Sequence, residues 1–156
     1  MIYVYPVTPV SAPRQVGRDA WDPSPHVQRY RAYRDELRAR RVKVPEPFHH
    51  AIFVMPMPSS WSRKKRLELH GQAHQQKPDR DNLEKALLDA CFGEDSHIWD
   101  GRTTKLWGER GLLILSAQPI AVTLPFNLTE YYEAVARFDR QPNRIPAFAP
   151  TVPRLS

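Results

Sequence analysis

A single cysteine, Cys91, stands among 156 residues, which excludes an intramolecular disulfide and any cysteine-based zinc finger or ribbon. Stability must come from packing. No stretch approaches the roughly 18 uninterrupted apolar residues of a membrane span. The start, Met1-Ile2-Tyr3-Val4-Tyr5-Pro6, lacks the basic opening and long apolar centre of a signal peptide. No membrane association is therefore expected, and the expected location is the cytoplasm. No internal repeat recurs at a period of 20 to 50 residues, so solenoids and propellers are out. What is present is 41% hydrophobic and 10% aromatic residues, enough to fill the core of a chain whose length suits one domain.

Lys and Arg number 23 against 17 Asp and Glu, a net charge of +6 that favours a polyanionic partner such as nucleic acid. The charge is unevenly placed. The helix-forming stretch around Arg29, Arg31, Arg34, Arg38, Arg40 and Arg41 is basic, as is the run Arg63-Lys64-Lys65-Arg66. Between them and the C-terminal third lies an acidic island: Asp79, Asp81, Glu84, Asp89, Glu94, Asp95 and Asp100 face only Arg80 and Lys85. Clustered carboxylates weaken binding to a phosphate backbone unless something neutralises them, and a divalent cation does so.

Ile2 to Val7 reads as an edge strand, bounded by prolines. Ser24-Pro25 supplies a cap and a first-position proline, and Val27, Tyr30 and Leu37 recur at helical spacing, which predicts a helix over about 25–41. Phe48 to Met55 is the clearest strand and should be central. Residues 59–77 read as a basic loop beside the ligand, with at most a short helical turn before Gly71. Leu83, Ala86, Leu87, Ala90 and Cys91 form the stripe of a packed amphipathic helix starting at about 81, with Asp81 and Glu84 as a capping pair. Thr103 to Trp107 is a strand, which Leu112 to Leu115 either continues or answers as a hairpin partner. Beyond residue 117 the chain is proline-rich and Thr129 to Phe138 is the one helical hint, so 118–156 reads as an extension to a domain over 1–117. The fold class expected is α+β: a small mixed sheet flanked by helices.

The informative segment is Lys77-Pro78-Asp79-Arg80-Asp81-Asn82-Leu83-Glu84-Lys85. Asp81, Lys85 and Asp89 are spaced by four and share one helical face, while Asp79 lies just before the helix. Neighbouring carboxylates suit Mg²⁺ or Mn²⁺, ions that favour carboxylate oxygen, water and substrate phosphate, and Asp100 can add a third oxygen if the next strand returns beside them. Lys85 offers a fixed cation to a phosphate. The same spacing also serves an exposed ion-pair ladder, in which Asp89 does no more than hold Lys85. His49 and His50 point to opposite faces of their strand and read as structural; His70 and His74 are four apart but broken by Gly71.

These residues resemble the RusA-like endodeoxyribonucleases that resolve Holliday junctions. The resemblance rests on Lys-Pro-Asp-x-Asp-Asn-Leu-x-Lys, an Asp-Ala pair one turn on (Asp89-Ala90), and a further Asp some 20 residues after the first. Ser60-Trp61-Ser62-Arg63-Lys64-Lys65-Arg66 and Thr104-Lys105-Leu106-Trp107-Gly108-Glu109 resemble its phage and prophage branch. The resemblance implies a homodimer that cleaves four-way DNA junctions with Mg²⁺, for which Mn²⁺ can substitute. It implies Asp79, Asp81 and Asp100 as metal-binding catalytic carboxylates and Lys85 as the catalytic lysine. Arg14, Arg18, Arg63, Lys64, Lys65, Arg102 and Lys105 are the candidates for contacts to the DNA backbone. Two rival readings share the same residues: a basic, non-catalytic DNA-binding module, and a metal-dependent RNase.

Overall fold

The computed structural model describes residues 1–14, 16–138 and 147–148. Its centre is the strand Phe48–Pro56 (β2), where Ala51, Ile52, Phe53 and Val54 are all fully buried because both faces of the strand are covered. The other strands are Ile2–Tyr5 (β1), Asp100–Gly108 (β3), Leu112–Ser116 (β4) and the two-residue Ala147–Phe148 (β5), and the sheet order is β3-β2-β4-β1-β5. β2 is parallel to β3 and antiparallel to β4, so the sheet is mixed.

Among the described residues four α-helices accompany it: Pro25–Ala39 (α1), Arg63–Leu69 (α2), Arg80–Cys91 (α3) and Thr129–Phe138 (α4). The alternation of the strands sorts the core into two. Tyr5, Ala51, Phe53, Leu113 and Leu115 face α1 and α3, which contribute Tyr30, Tyr33, Leu37, Leu83, Ala86 and Leu87. Val4, Ile52, Val54, Leu106, Leu112 and Ile114 face the other way, onto Phe126, Leu128, Tyr131 and Val135. The chain is thus a single α+β domain, as expected.

Several elements differ from the sequence reading. β1 is not a bare edge, because β5 pairs with Ile2 and Tyr3 on its outer side. β3 and β4 are not a hairpin: β2 lies between them, since the crossover through α2 and α3 brings β3 back parallel to β2. The stretch read as a basic loop contains α2, started by Ser62, whose hydroxyl accepts from the Lys65 amide at 3.2 Å. α3 begins at Arg80 with Asp79 at the cap position, so Asp81 lies in the first turn and does not cap. The division at residue 117 is not a packing boundary. Residues 126–135 cover one whole face of the sheet, and His50 Nδ1 accepts the Ile120 amide at 3.0 Å, tying the start of that segment to β2. The prolines of the segment shape its path and do not detach it.

Candidate active site

The start of α3 is held from three sides. Lys105, on β3, donates from Nζ to the carbonyls of Gln76 and Pro78, both at 2.7 Å. The N-terminal arm binds through Ala12 N to Asn82 O at 3.0 Å. Glu84 Oε1 receives the Nε2 proton of His49 at 2.9 Å. Against this frame a cleft of about 410 Å³ opens, lined by Ser11, Ala12, Arg14, His26, Asp79 and Asn82 among others.

Asp79 and Asp81 are exposed at the rim of this helix start. The Asp79 carboxylate pairs with Lys77 Nζ at 2.8 and 2.9 Å, which explains why it leaves the helix amides uncapped. Asp81 makes no hydrogen bond or ion pair among the described residues. One turn on, Lys85 Nζ lies 3.2 Å from Asp89 Oδ2, and the Tyr30 hydroxyl donates to the same oxygen at 3.4 Å. The hydrogen bond and charge of Asp89, joined by the charge of Asp95, raise the Lys85 pKa. These favour the protonated ammonium, a cation that can face a phosphate.

Asp100 is placed differently. It opens β3 opposite Phe48, and the alternation of the strand puts it with Arg102 and Thr104 on the face turned away from α3. His50, on that same face, bonds Thr104 and has its pKa depressed by burial and then by the charge of Arg102, which fixes the side to which Arg102 points. Among the described residues no group of three or more His, Cys, Asp or Glu stands close enough to hold a metal ion. Asp79 and Asp81 still suit a hard divalent cation, which is commonly held by one or two carboxylates with water and substrate phosphate completing its shell. One is uncommitted, and the other is bound only by an exposed lysine.

The basic candidates fall in separate places. Arg14 lines the cleft beside Asp79. Arg18 is paired with Asp22 at 2.7 Å on an exposed turn, which is organised by the buried Asp19. Arg63, Lys64 and Lys65 lie on α2, just after Trp61, whose ring packs on Trp107 at the end of β3 opposite to Asp100. There Lys65 sits 4.1 Å over the Trp61 ring, and Arg63 lines a second cavity of about 460 Å³ with Trp61, Arg66 and His70. The half-buried Lys105 is spent on two backbone carbonyls. His70 and His74 do not converge: one stacks on Tyr132, the other packs at a tilt against Trp107. Four residues to which sequence reasoning gave no site role stand on or close to α3. His26 in the cleft and Asp95 near Lys85 carried no periodic signal, and the His49–Glu84 bond joins residues far apart in the chain.

No match is found among curated proteins. The profile of the family described as Endodeoxyribonuclease RusA matches residues 6–114, a span that takes in the cleft, both carboxylates at the start of α3, and Lys85. Members of that family are hydrolases of DNA that resolve Holliday junctions and depend on a divalent metal. With some two-thirds of its length inside the match, this chain belongs to the RusA endodeoxyribonuclease family.

Proposed function

We propose that this protein cleaves four-way DNA junctions at the start of α3, with Asp79 and Asp81 as the carboxylates that hold Mg²⁺, or Mn²⁺ in its place. The observation that carries the reading is the pair of exposed carboxylates at a braced helix start, with a lysine held in an ion pair one turn away. The metal supplies Lewis acidity toward the scissile phosphate and a water of lowered pKa. Lys85 places its ammonium against the negative charge that develops on the phosphate, held there by Asp89, which in turn accepts from the Tyr30 hydroxyl. Arg14 lies where the DNA backbone must pass to reach Asp79.

A third carboxylate oxygen comes from Asp100, on the strand, or from Asp95, in the connection after α3. Asp100 opens β3 on the face that alternation turns from α3, and Asp95 lies near enough for its charge to act weakly on Lys85. Arg18, Arg63, Lys64, Lys65 and Arg102 position the DNA arms, whereas Lys105 acts on the loop before α3. The unit of action is a homodimer, because a four-way junction presents two symmetry-related strands and a two-fold pair offers one site to each. Residues 1–117 carry the catalytic apparatus, and the segment after them completes its core. Among the described residues no helix is long and apolar enough to cross a membrane, and the proposed place of action is the cytoplasm of a bacterial host, where the DNA lies.

The test is a labelled synthetic four-way junction with its linear duplex and its RNA analogue as controls. Paired nicks in the junction alone, abolished by EDTA and restored by Mg²⁺, are expected. Equal cleavage of the RNA analogue would favour the ribonuclease reading, and metal-independent binding without cleavage the binding-module reading.

A further inference from the structure

The imidazole of His49 is 1% exposed, yet Nδ1 has no hydrogen-bond partner and Nε2 has just one, Glu84 Oε1 at 2.9 Å. An unsatisfied buried nitrogen is costly, and such exceptions concentrate where function dictates the geometry. The ring is also boxed in. His49 is the register partner of Gly101 on β3, and a Cβ at Gly101 would lie 2.6 Å from His49 Cε1 and 3.0 Å from Nδ1. Only a bare backbone at 101 lets the ring lie flat on β3 and aim Nε2 at α3. Its partner is one turn after Asp81, on an adjacent part of the helix surface, and is itself half-buried. The bond to His49 is the foremost reason that the Glu84 pKa is lowered, so the carboxylate stays ionised. Other links of this helix start to the sheet are the Lys105 clamp on the preceding loop, a 3.5 Å contact from Arg80 to the Thr103 carbonyl, and the Thr103 side chain, which acts with His49 in lowering the Glu84 pKa.

We propose that His49 and Glu84 are a positioning pair, which locks the first turns of α3 onto β2 and β3 and so sets the metal affinity of Asp79 and Asp81. The inference rests on the metal-site reading above. Neither residue touches the metal. Removing the pair leaves both carboxylates in place but frees the turn that carries them, and losses of about tenfold or more in metal affinity are usual when a supporting contact of this kind goes.

The test uses His49→Phe, which keeps a ring over Gly101 and removes the donor, together with Glu84→Ala, Glu84→Gln and Asp81→Asn. Mn²⁺ binding to the full chain without DNA is followed by electron paramagnetic resonance, alongside the Mg²⁺ concentration for half-maximal junction cleavage and junction binding in EDTA. His49→Phe and Glu84→Ala should each weaken Mn²⁺ binding about tenfold or more and raise the Mg²⁺ half-point in step, leaving junction binding in EDTA unchanged. Glu84→Gln, whose amide oxygen still accepts from His49, should stay within about threefold of the parent. If His49→Phe and Glu84→Ala bind Mn²⁺ like the parent while Asp81→Asn does not, the pair has no positioning role and the metal site stands. If Asp81→Asn also binds like the parent, the metal site itself is misplaced. If Glu84→Gln loses as much as Glu84→Ala, Glu84 acts by its charge on the metal, and the positioning role is overturned. Should thermal melting show His49→Phe unfolded, the Glu84 variants, altered at a half-exposed side chain, decide the matter.

Discussion

Lys105 Nζ donates to the carbonyl oxygen of Pro78 at 2.7 Å, one residue before the first carboxylate of the site. A second bond, to Gln76 at the same distance, makes the lysine a clamp on the whole approach to α3. Burial lowers its pKa, the mark of an ammonium drawn in from solvent.

Lys105→Met should therefore behave as a loosened active site and not as a lost phosphate contact. Cleavage should fall about tenfold or more, while the slope of log K against log salt for junction binding keeps its parent value. A slope reduced by about 0.9 would return Lys105 to the DNA backbone.

Asp95→Asn and Asp100→Asn separate the two candidates for the third carboxylate. On the Asp95 reading, Asp95→Asn should reduce junction cleavage by orders of magnitude, because it removes an anionic ligand from the metal. Asp100→Asn, on the far face of β3, should cost far less. The reverse ranking in a single-turnover assay would place the metal between α3 and the start of β3.

Much of the architecture was legible. Ser24-Pro25 and the spacing of Val27, Tyr30 and Leu37 located α1, and Leu83, Ala86, Leu87 and Ala90 located the buried face of α3. Both rest on local signals. Strand pairing does not: nothing near Thr103 announces that β3 runs parallel to β2 or that the strand reaches back to Asp100, the two facts from which alternation assigns Asp100 a face. The division at residue 117 rested on an equally local signal. Proline content suggested an extension, whereas Phe126, Leu128, Tyr131 and Val135 find their use only against an apolar sheet face assembled from four other strands. His49–Glu84 was invisible because it joins a strand to a helix across 35 positions.

Truncation after residue 117 should accordingly give aggregation, since it uncovers Val4, Ile52, Val54, Leu106 and Ile114 together. The milder Leu128→Ala, at a side chain 1% exposed, should lower stability by about 2 to 5 kcal/mol in denaturant titrations. A folded, monodisperse 1–117 fragment would show that the segment is dispensable.

Acid should loosen the same region. His50 Nδ1 accepts the Ile120 amide and Nε2 donates to Thr104, so the neutral ring is fully used and a second proton has nowhere to go. Burial drives its pKa down to about 4, below the ordinary value near 6.5. The unfolded chain then binds more protons between those values, and stability falls as pH drops from about 6.5 to about 4. His74, also lowered to about 4 by burial, adds in the same direction. His50→Gln should have a flatter stability profile over this range; a slope equal to the parent's would remove His50 from the account.

The central claim is that the exposed carboxylates at the start of α3 are the metal-binding heart of the nuclease. Single-turnover cleavage and binding of one synthetic four-way junction, measured on Asp81→Asn and on Asp79→Asn, test it most directly. Losing one anionic ligand from a site built for a hard cation should reduce cleavage by several orders of magnitude, while junction binding persists or tightens because negative charge facing phosphate has been removed. Cleavage near the parent rate in either variant, with junction binding intact, would contradict it.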